Sequence, residues 1–315
     1  MTQAAIIVAV DGSDHSLAAL DWARDAALRH DAPLTVAHVL PDHAQLYAAR
    51  RATVGGEAPE TGDPVLAAVR ERLTAEGRAL PRELRWVSLD GSVPEALRSI
   101  GSGARMLVMG SRGRGGFVSL LLGSNSRAVS STAPCPVVVV PHTTHDADDA
   151  TGTHRGSAYG LPGGPVVLGL ETAQTPEDVI EFAFDEARTR AAELRVISAY
   201  PVPPSPLLVL GPAPIPQVAL EHDEDPPVAD ATRRAQEDRL RTPHEHHPEV
   251  RIEPVVAPAD AAAQLVEASA GAALVVVGRH RPRLTPGSLL MGSVANAVLH
   301  HAHCPVAVVP PTTAD

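Results

Sequence analysis

The chain repeats itself, and that constrains its fold more than any other feature. Ala133-Pro-Cys-Pro-Val-Val-Val-Val-Pro141 matches Ala302-His-Cys-Pro-Val-Ala-Val-Val-Pro310, and Leu107-Val-Met-Gly-Ser111 matches Val275-Val-Val-Gly-Arg279, at offsets of 169 and 168 residues. Near the starts of the copies, Ile7-Val-Ala-Val-Asp-Gly-Ser13 aligns with Val167-Leu-Gly-Leu-Glu-Thr-Ala173 at an offset of 160. The second copy has therefore gained residues in its middle. Similarity over this length marks two units of one architecture. The expected layout is a first domain over 1–141, a linker over 142–164 and a second domain over 165–311. The linker is rich in Thr, Asp, His and Gly and has no apolar periodicity.

Within the first copy, short apolar runs alternate with helix-period segments, as in βαβ units around a parallel sheet. Strands are expected at Ala5 to Val10, Leu34 to Val39, Leu84 to Leu89, Arg105 to Met109 and Val137 to Val140. Their nearly unbroken apolar character fits strands covered on both faces. A helix with Leu17, Leu20, Ala23, Ala27 and Leu28 on one stripe follows the first strand, with Ser13 as its N-cap. Further helices are expected at Pro64 to Ala79, Val93 to Ser102 and Ser124 to Thr132. The fold class is thus α/β, with a five-stranded parallel sheet in each copy and helices on both faces. Two proline- or polar-rich tracts, Pro41 to Asp63 and Pro201 to Pro227, read as surface excursions.

Charge excludes several functions. Against 37 acidic residues there are 26 basic ones, a net charge of −11, so no broad basic surface exists to neutralise a nucleic-acid backbone. All of those 26 are arginine, which removes the lysine that a Walker-type phosphate loop requires. No run reaches the roughly 18 apolar residues of a membrane span. The first apolar run stops at Val10 against Asp11, unlike a secretory signal, which points to the cytoplasm and to no membrane contact. Cys135 and Cys304 occupy equivalent Cys-Pro-Val sites and read as free, buried thiols.

One segment carries chemistry. After the fourth strand comes Gly110-Ser-Arg-Gly-Arg-Gly-Gly-Phe-Val-Ser-Leu-Leu-Leu-Gly-Ser-Asn-Ser126. Its glycines let the backbone approach a ligand closely, and Gly123-Ser124 opens a helix thirteen residues after Gly110. N–H groups and the hydroxyls of Ser124 and Ser126 then converge on a spot suited to polyphosphate, where Arg112 and Arg114 add charge. With strand order 3-2-1-4-5, the chain direction switches between strands one and four, and ligands of open α/β sheets bind in that crevice. Asp11, at the end of strand one, can accept ribose hydroxyls there or serve as a helix N-terminal carboxylate.

Val-Asp-Gly-Ser at the first strand, Gly110-x2-Gly113-x9-Gly123-Ser124 and the terminal Cys-Pro-Val-Val-Val strand together resemble the universal stress protein family, in its tandem, ATP-binding form. The resemblance implies a Rossmann-like domain of the adenine nucleotide alpha hydrolase type and a regulatory role under stress. It implies ATP as ligand, with Mg²⁺ as an allowed counter-ion. Asp11 would then meet the ribose, and the backbone near Ala9 and Val39 the adenine. Gly110, Ser111, Arg112, Gly113, Arg114, Gly123, Ser124, Asn125 and Ser126 would surround the triphosphate. It also implies contact through the final strands, either between the two copies or between two chains.

Copy two departs from this pattern. Asp-Gly-Ser becomes Glu171-Thr-Ala173, Arg281 replaces the second loop glycine, Pro282 and Pro286 enter the loop, and Ala295 replaces Ser126. The expectation is that copy one binds nucleotide while copy two is degenerate. No catalytic set or metal site is expected. Slow ATP hydrolysis and a nucleotide-independent scaffold stand as alternatives. Two histidine clusters are read as bland: His300, His301, His303 and Cys304 as a helix end, and His244, Glu245, His246 and His247 as a solvated loop. Phe117 to Leu122 reads as a lid or an interface patch.

Overall fold

The computed structural model describes residues 4–40, 63–113, 122–141, 163–200, 226–258, 260–279 and 291–311. Arg114, the 117–121 part of the lid segment, the 41–62 and 201–225 tracts and residues 142–162 of the linker lie outside them. In copy one the strands are β1 (Ile6–Ala9), β2 (Leu34–Leu40), β3 (Leu84–Asp90), β4 (Met106–Gly110) and β5 (Val137–Val140). The helices are α1 (Asp14–Arg29), α2 (Pro64–Ala75), α3 (Val93–Ile100) and α4 (Ser124–Thr132). Copy two has strands β6 (Val166–Gly169), β7 (Leu194–Tyr200), β8 (Ile252–Pro258), β9 (Leu274–Gly278) and β10 (Val306–Val309). Its helices are α5 (Glu177–Arg190), α6 (Pro226–His246), α7 (Ala261–Ser269) and α8 (Ser293–His301).

Every strand pair inside a copy is parallel, and each copy has the anticipated 3-2-1-4-5 order. At the seam β5 and β10 pair antiparallel, with Val306 opposite Val139, Ala307 opposite Val138 and Val308 opposite Val137. The result is one ten-stranded sheet. Strand alternation sends Val138, Val140, Ala307 and Val309 to one face and Val137, Val139, Val306 and Val308 to the other. Both sets are buried, and each belongs to an apolar cluster containing residues of both copies.

Local chemistry sets the helix ends. The Ser13 Oγ accepts from the Ser16 N–H and starts α1, with Asp14 in the first turn and Arg29 in the last, as the helix dipole favours. Asp63 caps α2 through the N–H groups of Val65 and Leu66. That helix stops at Ala75, short of the expected Ala79, where Gly77 turns the chain at φ 59°. Likewise α3 ends at Ile100 on the cap Gly101, not at Ser102.

The solvated-loop reading of His244 to His247 is corrected. His244 to His246 form the last turn of α6, which runs through Pro243, and Pro226 and Pro227 form its first turn, where proline is tolerated. Tertiary contacts outweigh the cost of an interior proline: the His247 ring stacks on Phe184 at 5.7 Å, and His246 and His247 each reach Glu181 at 3.3 Å.

A buried polar cluster crosses between the copies beside the seam. His30, at the C-cap of α1, lies 2.8 Å from Glu186 Oε1 of α5, and Glu186 has no solvent exposure. Arg190 pairs with the same carboxylate and lies over the Trp22 ring at 5.4 Å, while Arg105 pairs with Asp185. Burial opposes ionisation of Glu186, but Arg190, the His30 hydrogen bond and Arg29 outweigh it and hold its pKa at about 2, against an ordinary 4.5. A depressed carboxylate contributes stability above its unfolded pKa, and that contribution is lost as pH falls through the folded value. In urea titrations from pH 6 to 2, the stability gap between wild type and Glu186→Gln will therefore be full above pH 4.5 and shrink as pH approaches 2.

Candidate functional site

The parallel pairing of β1 with β4, with Ile6 opposite Met106 and Val8 opposite Val108, delivers Asp11 and the 110–113 loop side by side at the carboxyl edge of the sheet. Neighbouring β2 lies on the other side of β1, so this is the switch point where two connections diverge. Gly12 turns the chain at φ 78° immediately after Asp11.

Two glycines are dictated by what fills their missing side-chain space. A Cβ on Gly110 would fall 2.6 Å from the His15 carbonyl oxygen, so only glycine lets the first turn of α1 settle on the end of β4. A Cβ on Gly113 would fall 2.7 Å from Asp11 Oδ2. The Asp11 carboxylate therefore rests against the backbone of the glycine loop. Its other oxygen, Oδ1, accepts from the Ser13 N–H at 3.0 Å and the Ser13 hydroxyl at 2.6 Å. One oxygen of Asp11 thus serves the turn into α1, the helix N-terminal role anticipated for it, and the other faces the loop.

The loop is strapped to α4. Gly123 donates its N–H to the Ser111 carbonyl at 2.7 Å, and Ser111 donates to the Val140 carbonyl at 2.9 Å. Ser126 is buried, and its hydroxyl donates to the Gly110 carbonyl at 2.9 Å. That hydroxyl is thus turned into the scaffold and not toward the cradle with Ser124. Ser124 and Asn125 are exposed at the start of α4, where Gly123 gives no side-chain cap to the first N–H groups. Ala9 and Val39 sit at the ends of β1 and β2, packed against the apolar cluster on the α4 face.

Sequence reasoning missed His15. Its Nδ1 lies 3.2 Å from the Ser111 hydroxyl, across 96 residues of chain, and no local spacing rule links the two positions.

In copy two the same corner is rebuilt. Glu171 is exposed, its Oε1 accepts from Gln174 Nε2 at 2.6 Å, and its N–H donates to Thr175 Oγ1. Arg239 of α6 pins this turn through the Thr172 and Thr175 carbonyls. Arg279, aligned with Ser111, donates Nη1 to the Ala133 carbonyl of copy one at 2.7 Å.

The remaining candidates resolve simply. Cys135 and Cys304 are free and buried, and burial pushes their thiols up to about 11 and about 12, far from the thiolate needed for reactivity. His300 and His301 close α8, and the His303 N–H donates to Ser269 Oγ. Among the described residues, no group of three His, Cys, Asp or Glu is placed to hold a metal ion, and no helix is long and apolar enough to cross a membrane.

Comparison with known proteins settles the lineage. The model of the universal stress protein family matches residues 4–141 and again 164–310. The chain belongs to this family. It is 35% identical over 311 residues to universal stress protein Rv2005c of Mycobacterium tuberculosis, covering 97% of each chain. It is 32% identical over 322 residues to a universal stress protein of Mycolicibacterium smegmatis, covering 98% of each. A universal stress protein of Archaeoglobus fulgidus has the same fold, with TM-score 0.63 at 15% identity over 100% of this chain and 99% of that one. Other members, aligning with 45% and 47% of the chain, have been solved with cAMP and dAMP.

The strap generates a test. Ser126→Ala leaves the Gly110 carbonyl without its buried donor and will lower unfolding free energy by about 1–3 kcal/mol. Gly110→Ala, which must move a backbone carbonyl, will cost more. Urea midpoints of the two variants check the ranking.

Proposed function

We propose that this universal stress protein is an ATP-binding regulator with its nucleotide site in copy one. Asp11 accepts the ribose hydroxyls, and the backbone at Ala9 and Val39 lies along the adenine. Gly110, Ser111, Arg112 and Gly113, with Arg114, Gly123, Ser124 and Asn125, hold the phosphates. Ser126 supports this group from below by fixing Gly110.

The observation that carries this reading is the contact of Asp11 with Gly113: the carboxylate occupies the space of the absent Cβ, 2.7 Å from where that atom would stand. A sugar held by Asp11 is then within reach of the same backbone that receives its phosphates. Occupancy orders the loop and changes the surface offered to partners. In this reading the β5–β10 joint supplies, within one chain, the contact that a second chain would otherwise make.

Calorimetric titration of the intact chain with ATP tests the proposal. One ATP per chain is expected, and Gly113→Ala, which displaces the Asp11 carboxylate, will weaken binding at least tenfold while the far-ultraviolet dichroism is unchanged. Absence of binding at millimolar ATP, or equal binding by wild type and Gly113→Ala, would reject the assignment.

A further inference from the structure

Positive charge gathers where α1 of copy one ends against α5 of copy two. In a chain of net charge −11, the guanidinium groups of Arg29, Arg105, Arg188 and Arg190 meet there around two carboxylates. Asp185 pairs with Arg105 and Arg188, and Glu186 pairs with Arg190 and acts on Arg29. The His30 ring draws on the same two acids, lying 2.8 Å from Glu186 and 3.8 Å from Asp185. Asp25, an acid one turn back along α1, is held by Arg24 at 3.0 Å and Arg78 at 3.7 Å.

Arg190 keeps an unused donor. Its side chain is only 9% exposed. Nη1 donates to the Glu186 carboxylate and main-chain carbonyl, whereas the buried Nη2 has no hydrogen-bond partner among the described residues. Buried polar atoms are seldom unpaired, and a charged donor is the costliest to leave so. The helix dipole favours a cation at the end of α5, but Nη1 already meets that demand and gives Nη2 no role.

Arg29 supplies the second cation. It reaches solvent in the last turn of α1. Among the described residues it forms no ion pair, and Glu186 and Asp25 act on it only through space. Both guanidinium groups lie against Trp22, with Arg29 at 6.0 Å and Arg190 at 5.4 Å from the ring centroid. Desolvation, and after it the charge of Arg190, lowers the Arg29 pKa to about 10, so the two cations are close enough to repel. An anion held by both removes that repulsion and gives Nη2 an acceptor. Guanidinium forks suit this task, because their paired N–H groups match the oxygens of phosphate.

We propose that Arg29 and Arg190, contributed by opposite sides of the seam, form a site for a phosphate-class oxyanion that clamps α1 to α5 and stabilises the joined copies. The site lies at the last turns of α1 and α5, whereas Asp11 and the glycine loop flank the first turn of α1. The inference does not depend on copy one holding ATP.

Thermal unfolding of the full chain in inorganic phosphate, with chloride adjusted to constant ionic strength, tests it. A dissociation constant of about 0.1 mM would raise the midpoint by about 3–5 °C at about 10 mM phosphate. Wild type and Gly113→Ala are expected to show this gain. Arg29→Gln, a change at an exposed position, will keep its phosphate-free midpoint within about 2 °C of wild type and lose about two-thirds of the gain or more. Arg190→Lys keeps a charge for Glu186 without the second nitrogen, and will lose the gain as well. Phosphate also stabilises proteins by exclusion from their surfaces, an effect shared by all of these chains. The inference is overturned if wild type gains no more than Arg29→Gln, which means that the anion acts elsewhere or not at all. It is also overturned if the gain is lost in Gly113→Ala, which puts the phosphate on the glycine loop. Should Arg190→Lys fail to fold, Arg29→Gln decides.

Discussion

The antiparallel joint between Val137–Val140 and Val306–Val309 is the constraint on which the rest of the structure rests. Each strand ends its own parallel sheet, and an exposed valine edge would invite pairing with other chains. Pairing the two edges with each other removes that hazard and buries both faces of both strands. Each fully buried valine contributes about 1.5–3 kcal/mol relative to exposure, so seven valines and one alanine at the joint weld two domains into a common core. Both apolar clusters run through the seam. Losing the joint would therefore expose interior surface of both copies at once.

The same joint fixes how the two switch-point crevices are oriented. Because β5 and β10 run in opposite directions, the carboxyl edges of the two parallel sheets face opposite ways, and so do their switch-point crevices. Among the described residues, polar contacts cross the seam on both faces: His30 with Glu186 and Arg105 with Asp185 near α1 and α5, and Arg279 with Ala133 near α4 and β9. An uncompensated Glu186 would be costly in that interior. Its pairing with His30 and Arg190 gives the interface a registry that apolar packing alone does not supply.

Much of this was legible in the sequence because it depends on local pattern. Continuous valine runs gave strands covered on both faces, Ser13 gave the start of α1, and the repeat offsets gave two copies with the same strand order. The spacing from Gly110 to Gly123 located the loop and its helix. What could not be read depends on direction or distance. Ser126 was legible as a residue of the loop, but not that its hydroxyl turns back to Gly110, since both orientations share one spacing. His15 approaches Ser111 and Glu186 approaches His30 only after the sheet and seam have formed. Pro243 argued for a loop at His244 to His247, and the Phe184 and Glu181 contacts that carry α6 past it come from another helix.

The distribution of change between the copies follows from the same physics. Residues at the seam and in the sheet are coupled to both copies, so a poor substitution there damages a core shared by the whole chain. Residues at the strand ends mainly border their own crevice, although Arg279 also reaches the Ala133 carbonyl of copy one. Divergence is accordingly concentrated at Glu171, Thr175, Arg279 and Ala295, while the Cys-Pro-Val strand of copy two keeps its pattern. Gly113 shows how such positions move together: it must be glycine because Asp11 occupies its side-chain space. In copy two the acid is the longer Glu171, tied to Gln174 within its own turn, and the aligned loop position is Arg281. The reach of one carboxylate and the residue allowed at the loop position beside it are thus coupled, on a scaffold that both copies share.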